Sequence, residues 1–225
     1  ERSEAVAAKR EEHLHMSRRV AFSTGPKVWP AAVCLCNYIR RELSCCIRGA
    51  TVLELGCGLG LPAVVSVMSG AKHAILTDSG SDVETAVQGT LDTVFHSMHV
   101  QEALKFKQLE WGADPVRKFL QDTSLSFDYI FCCDCVYEPF FGEESWQLLA
   151  DSLAVLLLEV PELERPELKR IPKAIISVER RIEGIDGVDS FREALEAHNL
   201  HVDCPVPAGT CDEPDQRDVE IWLVQ

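Results

Sequence analysis

The sequence predicts an α/β fold: a seven-stranded, mostly parallel sheet with helices on both faces and an antiparallel hairpin at its C-terminal end. Along most of the 225 residues, apolar strand-like runs alternate with helical patterns, which is typical of parallel sheets. The last two strand-like runs are joined by a turn-rich segment without a crossover helix, so they should pair antiparallel. The length suits one domain with a sizeable core. We therefore expect a single domain over residues 1–225, with residues 1–27 as an N-terminal extension.

Each predicted element follows from its local pattern. Pro30 is expected to open the first helix, because proline is tolerated at the first helical position. Continuous apolar runs indicate buried strands, and the alternating run 103–111 indicates a strand nearer an edge. The predicted helices cover residues 28–46, 62–68, 81–98, 114–120, 143–158 and 188–198. The predicted strands cover residues 50–55, 74–78, 103–111, 127–134, 173–181, 201–207 and 218–225.

The net charge of −14 disfavours direct binding to nucleic acid. Proteins that read nucleic acids usually carry a basic stripe that neutralises phosphates. Here the basic residues are scattered, with short pairs at 18–19, 40–41 and 180–181. An acidic surface would instead steer a basic partner toward the protein.

The composition also bears on location and redox state. No apolar run approaches the roughly 18 residues that a membrane-spanning helix needs, so no membrane association is expected. The segment 1–16 is polar and charged, unlike a secretory signal, so we expect a protein of the cytoplasm, the nucleus or both. Several of the ten cysteines lie inside apolar runs, where a free thiol behaves as a small hydrophobic side chain, so we expect ten reduced thiols.

The first chemical signal is a glycine-rich turn between a strand and a helix, LELGCGLGLP at residues 53–62. Gly56 and Gly58 permit a tight turn and let a ligand approach the backbone. The dinucleotide fingerprint would need a glycine where Leu61 stands, so the pyrophosphate clamp is missing. Asp78 ends the next strand, 22 residues after Gly56, where an acid reaches ribose hydroxyls. The pattern indicates a nucleoside ligand without phosphates, such as S-adenosylmethionine (SAM); the alternative is a purely structural turn.

The second signal is the run CCDCVYEPFF at residues 132–141. Adjacent residues of a strand point to opposite faces, so we expect Cys132 to face away from Cys133, with Cys135 on the side of Cys133 or in a loop. The paired C-x-x-C motifs of zinc ribbons are absent, so no metal site is predicted. Ligands of an open parallel sheet bind at the carboxyl ends of its strands, and this is where Asp134 and Tyr137 are expected.

These motifs resemble those of the class I SAM-dependent methyltransferases, whose sheet is Rossmann-like. Within that class the chain is similar to the protein-lysine methyltransferases marked by a D-x-x-Y motif, methyltransferase family 16. The matching segments span roughly residues 23–140 in family order and spacing; they are STGPKVWPAAVCLCNYI, VLELGCGLGLP, ILTD, LEWG and DCVY. The glycine turn departs from the family's common G-A-G-T-G in having Cys57 and Leu59, which are both apolar and of modest size.

The resemblance implies a cofactor site and an acceptor site. The residues implied in SAM binding are Trp29, Glu54, Gly56, Cys57, Gly58, Asp78, Trp111 and Cys133. Glu54 would position the amino-acid part of SAM above the turn, Asp78 would bind the ribose, and Trp111 would lie near the adenine. Asp134 and Tyr137 would hold and orient the incoming lysine ammonium. Either tryptophan has an alternative as an ordinary packing residue, whereas a buried acid such as Glu54 needs a partner.

The activity implied by the resemblance is transfer of a methyl group from SAM to a lysine side chain of a protein partner. Family members favour chaperones and translation factors, and the acidic surface is compatible with a basic target such as a nuclear protein. Aromatic residues within 137–141 would desolvate the amine and so lower its pKa. Two alternatives stay open: a methyltransferase acting on a small molecule or nucleic acid, and a SAM-binding interaction module without activity.

Overall fold

The computed structural model describes residues 28–80, 83–85, 87–89, 98–142, 144–159, 171–181, 186–210, 216 and 218–225. Within these ranges seven strands form one sheet. In chain order the strands are β1 (Thr51–Leu55), β2 (His73–Asp78), β3 (Leu104–Gln108), β4 (Tyr129–Cys133), β5 (Lys173–Glu179), β6 (Val202–Val206) and β7 (Val219–Val224). The predicted N-terminal extension, residues 1–27, lies outside the described residues.

The strands lie side by side in the order β3–β2–β1–β4–β5–β7–β6. The pairs from β3 to β5 are parallel, and β7 runs antiparallel to both β5 and β6. The sheet is therefore mostly parallel and ends in an antiparallel hairpin, which confirms the predicted fold class. The chain order reverses between β1 and β4, so the carboxyl ends of these strands flank the switch point where open α/β sheets bind ligands.

The described helices connect these strands and precede the first of them. They are α1 (Pro30–Tyr38), α2 (Leu61–Met68), α3 (Met98–Ala103), α4 (Ala113–Thr123), α5 (Glu138–Phe141), α6 (Ser145–Leu158) and α7 (Val188–Ala197). Pro30 opens α1 as predicted, and the helix continues into a π-helical turn over Ile39–Leu43. In the described part of the chain, no helix combines the length and the apolar character that a transmembrane span requires.

Helices cover both faces of the sheet. On one face α1 and α2 bury Leu35 and Val64, and on the other α4, α6 and α7 bury Phe119, Leu153 and Phe191. Successive apolar residues of the strands alternate between these two cores, as the period of two in a strand requires. The inner strands β1, β2, β4 and β5 are buried on both sides, which is why their sequences are continuous apolar runs.

The two edge strands, β3 and β6, differ from this pattern. β3 lies at one edge as its alternating sequence predicts, with Lys105 and Lys107 exposed. Lysines on an edge strand discourage pairing with another chain. At the other edge, the pairing of β6 with β7 shifts register between Asp203 and Val206. Pro205 lies within this shift and has no N–H to donate, which suits an edge position.

Several predicted boundaries differ from the structure. The strand predicted over 103–111 is shorter, and α3, made mostly of good helix formers, stands directly before it. Most of the helix predicted over 81–98 lies outside the described residues. Within that range, the described segments 83–85 and 87–89 are helical. The helix predicted over 143–158 begins at Ser145, and α5 precedes it as a separate short helix. Gly142 separates the two, because its φ of +104° is not helical.

We expect Phe191→Ala to lower the free energy of unfolding by about 3–5 kcal/mol, the usual cost of truncating a buried aromatic side chain. Phe191 is fully buried, and its ring stacks on Trp222 with centroids 6.0 Å apart. The measurement is urea denaturation followed by circular dichroism. Met68→Ala is the control, since Met68 is 60% exposed and should cost less than about 0.5 kcal/mol. Equal losses in the two variants would contradict the packing described.

Candidate cofactor and acceptor site

The glycine turn at the end of β1 is held against the end of β2 by backbone hydrogen bonds. The Cys57 N–H donates to the Thr77 carbonyl at 2.9 Å. The Asp78 carboxylate accepts the N–H of Gly58 at 3.1 Å and that of Gly80 at 3.3 Å. The structure thus brings Asp78 to the turn, as its position at the end of β2 predicts. Its contact with a ribose stays a prediction.

Two glycines of the turn are required by packing. Gly60 has a φ of +69°, and a Cβ built there would lie 2.2 Å from Leu76 Cδ2. Gly56 has a φ of +59°, and its Cβ would lie 2.7 Å from Cys135 Sγ and 3.0 Å from Trp111 Cζ2. Any other residue at either position would combine an unfavourable backbone conformation with a steric clash. Trp111 therefore lies directly beside the turn. Its predicted place near the adenine stays a prediction.

Gly58 differs from its two neighbours because the space around it is open. Its φ is +49°, but a Cβ at this position would have no atom within 4 Å. The packing of the protein therefore does not require a glycine here, although the backbone conformation favours one. Open space above a glycine between a strand and a helix is what a close-lying nucleoside ligand needs. This part of the turn fits the predicted cofactor.

Glu54, in the middle of the sheet, is only 1% exposed. Its Oε2 accepts the N–H of Ala63 at 2.8 Å, one of the N–H groups that the first turn of α2 leaves without a helical partner. Burial raises the pKa of Glu54 to about 8; the Ala63 hydrogen bond opposes this rise, and the nearby Asp78 adds to it. The predicted need for a partner is met by the helix, and contact with SAM stays a prediction.

The cysteines around the site are thiols in apolar surroundings; Cys57 and Cys135 are buried, and Cys133 is partly buried. Burial, with the nearby Glu54, raises the pKa of Cys57 and Cys133 well above the usual value, so neither is a reactive thiolate. Cys133 packs on the opposite face of β4 from Cys132, as predicted. Cys135 packs with Cys132, because the chain leaves strand geometry at Asp134, whose φ is +55°.

No metal-binding cluster is found in the part of the chain that the structure describes. There, no three His, Cys, Asp or Glu side chains are grouped so that they could hold a metal ion. The nine cysteines of the described ranges are all free thiols, and Cys211 lies outside those ranges. The described ranges therefore provide neither a metal centre nor a disulfide for the chemistry of the site.

The D-x-x-Y motif at the end of β4, residues 134–137, is called the acceptor motif. Arg181, which follows β5, organises it. Arg181 Nη1 donates to Asp134 Oδ1 at 2.9 Å, and Nη2 donates to Oδ2 of the same carboxylate and to Glu179 Oε2 at 2.6 Å. Burial raises the pKa of Asp134, and the bonds from Arg181 oppose that rise. Burial lowers the pKa of Arg181, but Asp134 and Glu179 outweigh it, so the guanidinium stays charged.

Two aromatic rings face the same guanidinium. The Arg181 Cζ atom lies 4.4 Å from the centroid of the Tyr137 ring and 5.4 Å from that of the Trp29 ring. Distances under about 6 Å allow cation–π attraction. The structure therefore brings Trp29, Asp134 and Tyr137 together around one cation. Trp29 stands here beside the acceptor motif, and its predicted contact with the cofactor stays a prediction.

Sequence reasoning missed the part that Arg181 takes in the site. The signal available was the pair Arg180-Arg181 directly after β5, but the sequence does not indicate which arginine turns inward. Phe141 lies at the other end of the motif, with its ring centroid 5.5 Å from that of Trp111. The side chains of Pro139 and Phe140, which belong to the run CCDCVYEPFF, lie outside what the structure describes.

The fold is that of the SAM-dependent methyltransferases. A TehB-like SAM-dependent methyltransferase from Corynebacterium glutamicum superposes with a TM-score of 0.52 at 16% identity, over 97% of this chain and 98% of that one. Magnesium protoporphyrin IX methyltransferase from Synechocystis, solved with bound SAM, superposes with a TM-score of 0.55 at 13% identity, over 86% of this chain and 77% of that one. At these identities the likeness concerns the fold, and it agrees with the predicted Rossmann-like sheet.

Residues 8–163, more than half of the chain, match a family described as lysine methyltransferase. The chain therefore belongs to the lysine methyltransferase family, which confirms the family predicted from its motifs. The matched range contains the glycine turn, Asp78, Asp134 and Tyr137. It ends before Arg181.

Three curated relatives illustrate the range of similarity. Secreted RxLR effector protein 48 of Plasmopara viticola is 26% identical over 146 residues, 63% of this chain and 68% of that protein. Protein N-lysine methyltransferase METTL21A of Xenopus tropicalis is 32% identical over 135 residues, 58% of each. Human methyltransferase-like protein 22 is 26% identical over 195 residues, 77% of this chain and 44% of that protein. The sequence also resembles that protein in SVERR at residues 177–181 and TDSGSD at residues 77–82. The chain thus spans about half the length of these two methyltransferases.

We expect Gly58→Ala and Gly60→Ala to separate ligand binding from stability. Gly60→Ala should lower the free energy of unfolding by about 2–4 kcal/mol, because it adds a clash to an unfavourable φ. Gly58→Ala should cost only about 1 kcal/mol of stability, yet weaken S-adenosylhomocysteine binding by about 10-fold or more, because a methyl group would fill the open space. Urea denaturation and calorimetric titration measure the two effects. Wild-type affinity in Gly58→Ala would contradict the assignment.

We expect Glu54→Gln to flatten the pH dependence of stability. The folded pKa of about 8 exceeds the ordinary value of 4.5, so the folded state keeps a proton that the unfolded state releases between these pH values. Stability therefore falls as pH rises through this range, by about 2 kcal/mol between pH 5 and 7 relative to Glu54→Gln. Urea denaturation of both proteins at the two pH values measures the difference. Parallel behaviour would show that Glu54 titrates as an exposed acid.

Proposed function

We propose that this chain is a SAM-dependent protein-lysine N-methyltransferase. The observation that carries the proposal is the contact between its two motifs. Cys135, inside D-x-x-Y, lies against the glycine turn, with Sγ 3.6 Å from the Leu55 carbonyl oxygen and 3.9 Å from that of Gly56. A donor held above the turn would therefore adjoin Asp134 and Tyr137. Family membership supports the same activity, and the structural neighbour solved with bound SAM shares the fold.

S-adenosylmethionine is the cofactor that the fold and the family support. The open space at Gly58, with Asp78 beside it, is where this chain would hold the cofactor, and Glu54 lies beneath. When bound, SAM supplies an electrophilic methyl group on a sulfonium, which an unprotonated amine takes with release of S-adenosylhomocysteine. Because burial raises the pKa of Glu54 to about 8, its carboxyl group is mostly protonated near pH 7, and no unpaired charge is buried beneath the glycine turn.

The acceptor end of the site has two tasks to perform on a lysine side chain. The amine must lose its proton, although its ordinary pKa is about 10.4. Desolvation against the rings of Tyr137 and Trp29 lowers that pKa, and so does the nearby positive charge of Arg181. The amine must also be aligned with the methyl group, and a rigid set of rings and charges provides such alignment. No general base is required for a leaving group as good as a sulfonium.

The partner is proposed to be a protein, and its kind follows from charge. The net charge of −14 favours a basic surface around the acceptor lysine, as in a chaperone, a translation factor or a basic nuclear protein. The same charge disfavours direct contact with nucleic acid. A location in the cytoplasm, the nucleus or both is part of the same proposal.

Labelling of a cell extract with tritiated SAM tests the proposal. We expect wild-type protein to label protein, and mass spectrometry to place the methyl group on lysine. Asp134→Ala should slow labelling by about 10-fold or more, because it disrupts the acceptor motif. Asp151→Ala is the matched control, since Asp151 on α6 pairs with His198 on the helical layer and should keep the wild-type rate.

Three results would contradict the proposal. Label found in RNA or small molecules alone would favour a different acceptor class. Equal protein labelling by wild type and Asp134→Ala would show that the acceptor motif takes no part in the reaction. Calorimetric binding of SAM without transfer to any component of the extract would favour a binding module without activity.

A further inference from the structure

The acceptor motif of this chain already holds a cation, the guanidinium of Arg181. Both oxygens of the Asp134 carboxylate accept hydrogen bonds from Arg181, and Oδ1 also accepts the Glu179 N–H at 3.4 Å. Such bidentate pairing is the geometry in which a guanidinium binds a carboxylate most strongly. The hydrogen-bonding capacity of Asp134 is therefore directed at protein donors.

Exposure distinguishes the two partners of this ion pair. The side chain of Arg181 is 14% exposed, and that of Asp134 only 4%. Arg181 also contacts both aromatic rings of the site, Tyr137 and Trp29, by its guanidinium face. The more accessible charge is therefore the arginine, with the aspartate beneath it. We therefore expect an amine that enters beside the rings to meet Arg181 before the carboxylate oxygens.

The neighbouring arginine shows that this placement is specific. Arg180 donates from Nε to Glu220 at 2.7 Å and from Nη1 to Asp189 at 2.7 Å. Glu220 lies in β7 and Asp189 lies in α7. Successive residues of an extended segment point in opposite directions, so Arg180 and Arg181 reach different partners. Arg180 therefore binds β7 and α7, whereas Arg181, one position later, binds the acceptor motif.

We propose that Arg181 is a positioning residue of the acceptor site, and that Asp134 acts on the acceptor through Arg181 rather than by touching the amine. The proposal rests on the proposed lysine methylation and changes the role that the resemblance implies for Asp134. The ion pair holds the guanidinium against both rings, so one interaction fixes the orientation of three side chains. Loss of Arg181 would leave a buried carboxylate without its charged partner. Arg181 lies beyond residues 8–163, the range that matches the family.

A double-mutant cycle tests this coupling, with Asp134→Asn, Arg181→Gln, the two combined, and Arg180→Gln as the matched control. Each protein is saturated with tritiated SAM and mixed with cell extract, and the rate constant of label transfer to protein lysine is measured. We expect each single variant to slow transfer by about 20-fold, and the double variant by at most about 3-fold more. Arg180→Gln should stay within about 3-fold of wild type. Losses that multiply to about 400-fold would show independent contacts and overturn the proposal.

Two measurements that need no acceptor separate positioning from general damage. Calorimetric titration with S-adenosylhomocysteine should give dissociation constants within about 3-fold of wild type, because the glycine turn is unchanged. A parallel loss of transfer and of this binding would indicate a structural role only. In thermal unfolding, the fall in Tm of the double variant should be smaller than the summed falls by about 3 °C or more.

The remaining outcomes distinguish this proposal from the one on which it rests. Faster transfer by Arg181→Gln would show that the guanidinium blocks the acceptor, and additive falls in Tm would show that the pair does not form. Either result overturns the proposal on Arg181 while lysine labelling stands. Absence of lysine labelling by the wild-type protein overturns the proposed function itself, and the acceptor role of Arg181 with it.

Discussion

Desolvated carboxylates at the carboxyl edge of the sheet are the constraint on which the site depends. Glu54 and Asp134 are 1% and 5% exposed, and neither can remain in the interior without donors. Glu54 obtains a donor from the first turn of α2, and Asp134 obtains several from Arg181 and from the backbone at the end of β5. Because each donor belongs to a different element, these bonds also fix where α2 and the end of β5 stand relative to the glycine turn.

The two carboxylates meet this constraint in different ways, and the difference divides the site. Glu54 has a pKa near 8 and one backbone donor, so it presents a nearly neutral surface beneath the glycine turn. Asp134 is paired with a guanidinium, so charge is kept at the other end of the site, beside aromatic rings. In the proposed reaction, a sulfonium donor and an amine that must lose its proton make different electrostatic demands, and this division would suit both.

Topology explains how residues far apart in the sequence reach the same edge. β1 lies between β2 and β4, and β5 lies beside β4, so the segments that follow these four strands emerge together. Gly58, Asp78, Asp134 and Arg181 each follow or end one of them. Cys135 then joins the glycine turn to the acceptor motif, since a side chain on Gly56 would clash with its sulfur. The parallel sheet thus brings to one edge four residues that are spread over more than half the length of the chain.

The sequence by itself determined the order of elements, the glycine turn, the acid ending β2 and the D-x-x-Y motif, because apolar periodicity and glycine conformations are local properties of the chain. It also indicated that Glu54 needs a partner, without identifying Ala63. Only the tertiary structure decided that β7 inserts between β5 and β6, that Cys135 joins Cys132, and that Arg181 rather than Arg180 turns toward Asp134. These outcomes depend on which buried groups meet across elements, and desolvation and pairing energies between distant residues leave no periodic trace in the sequence.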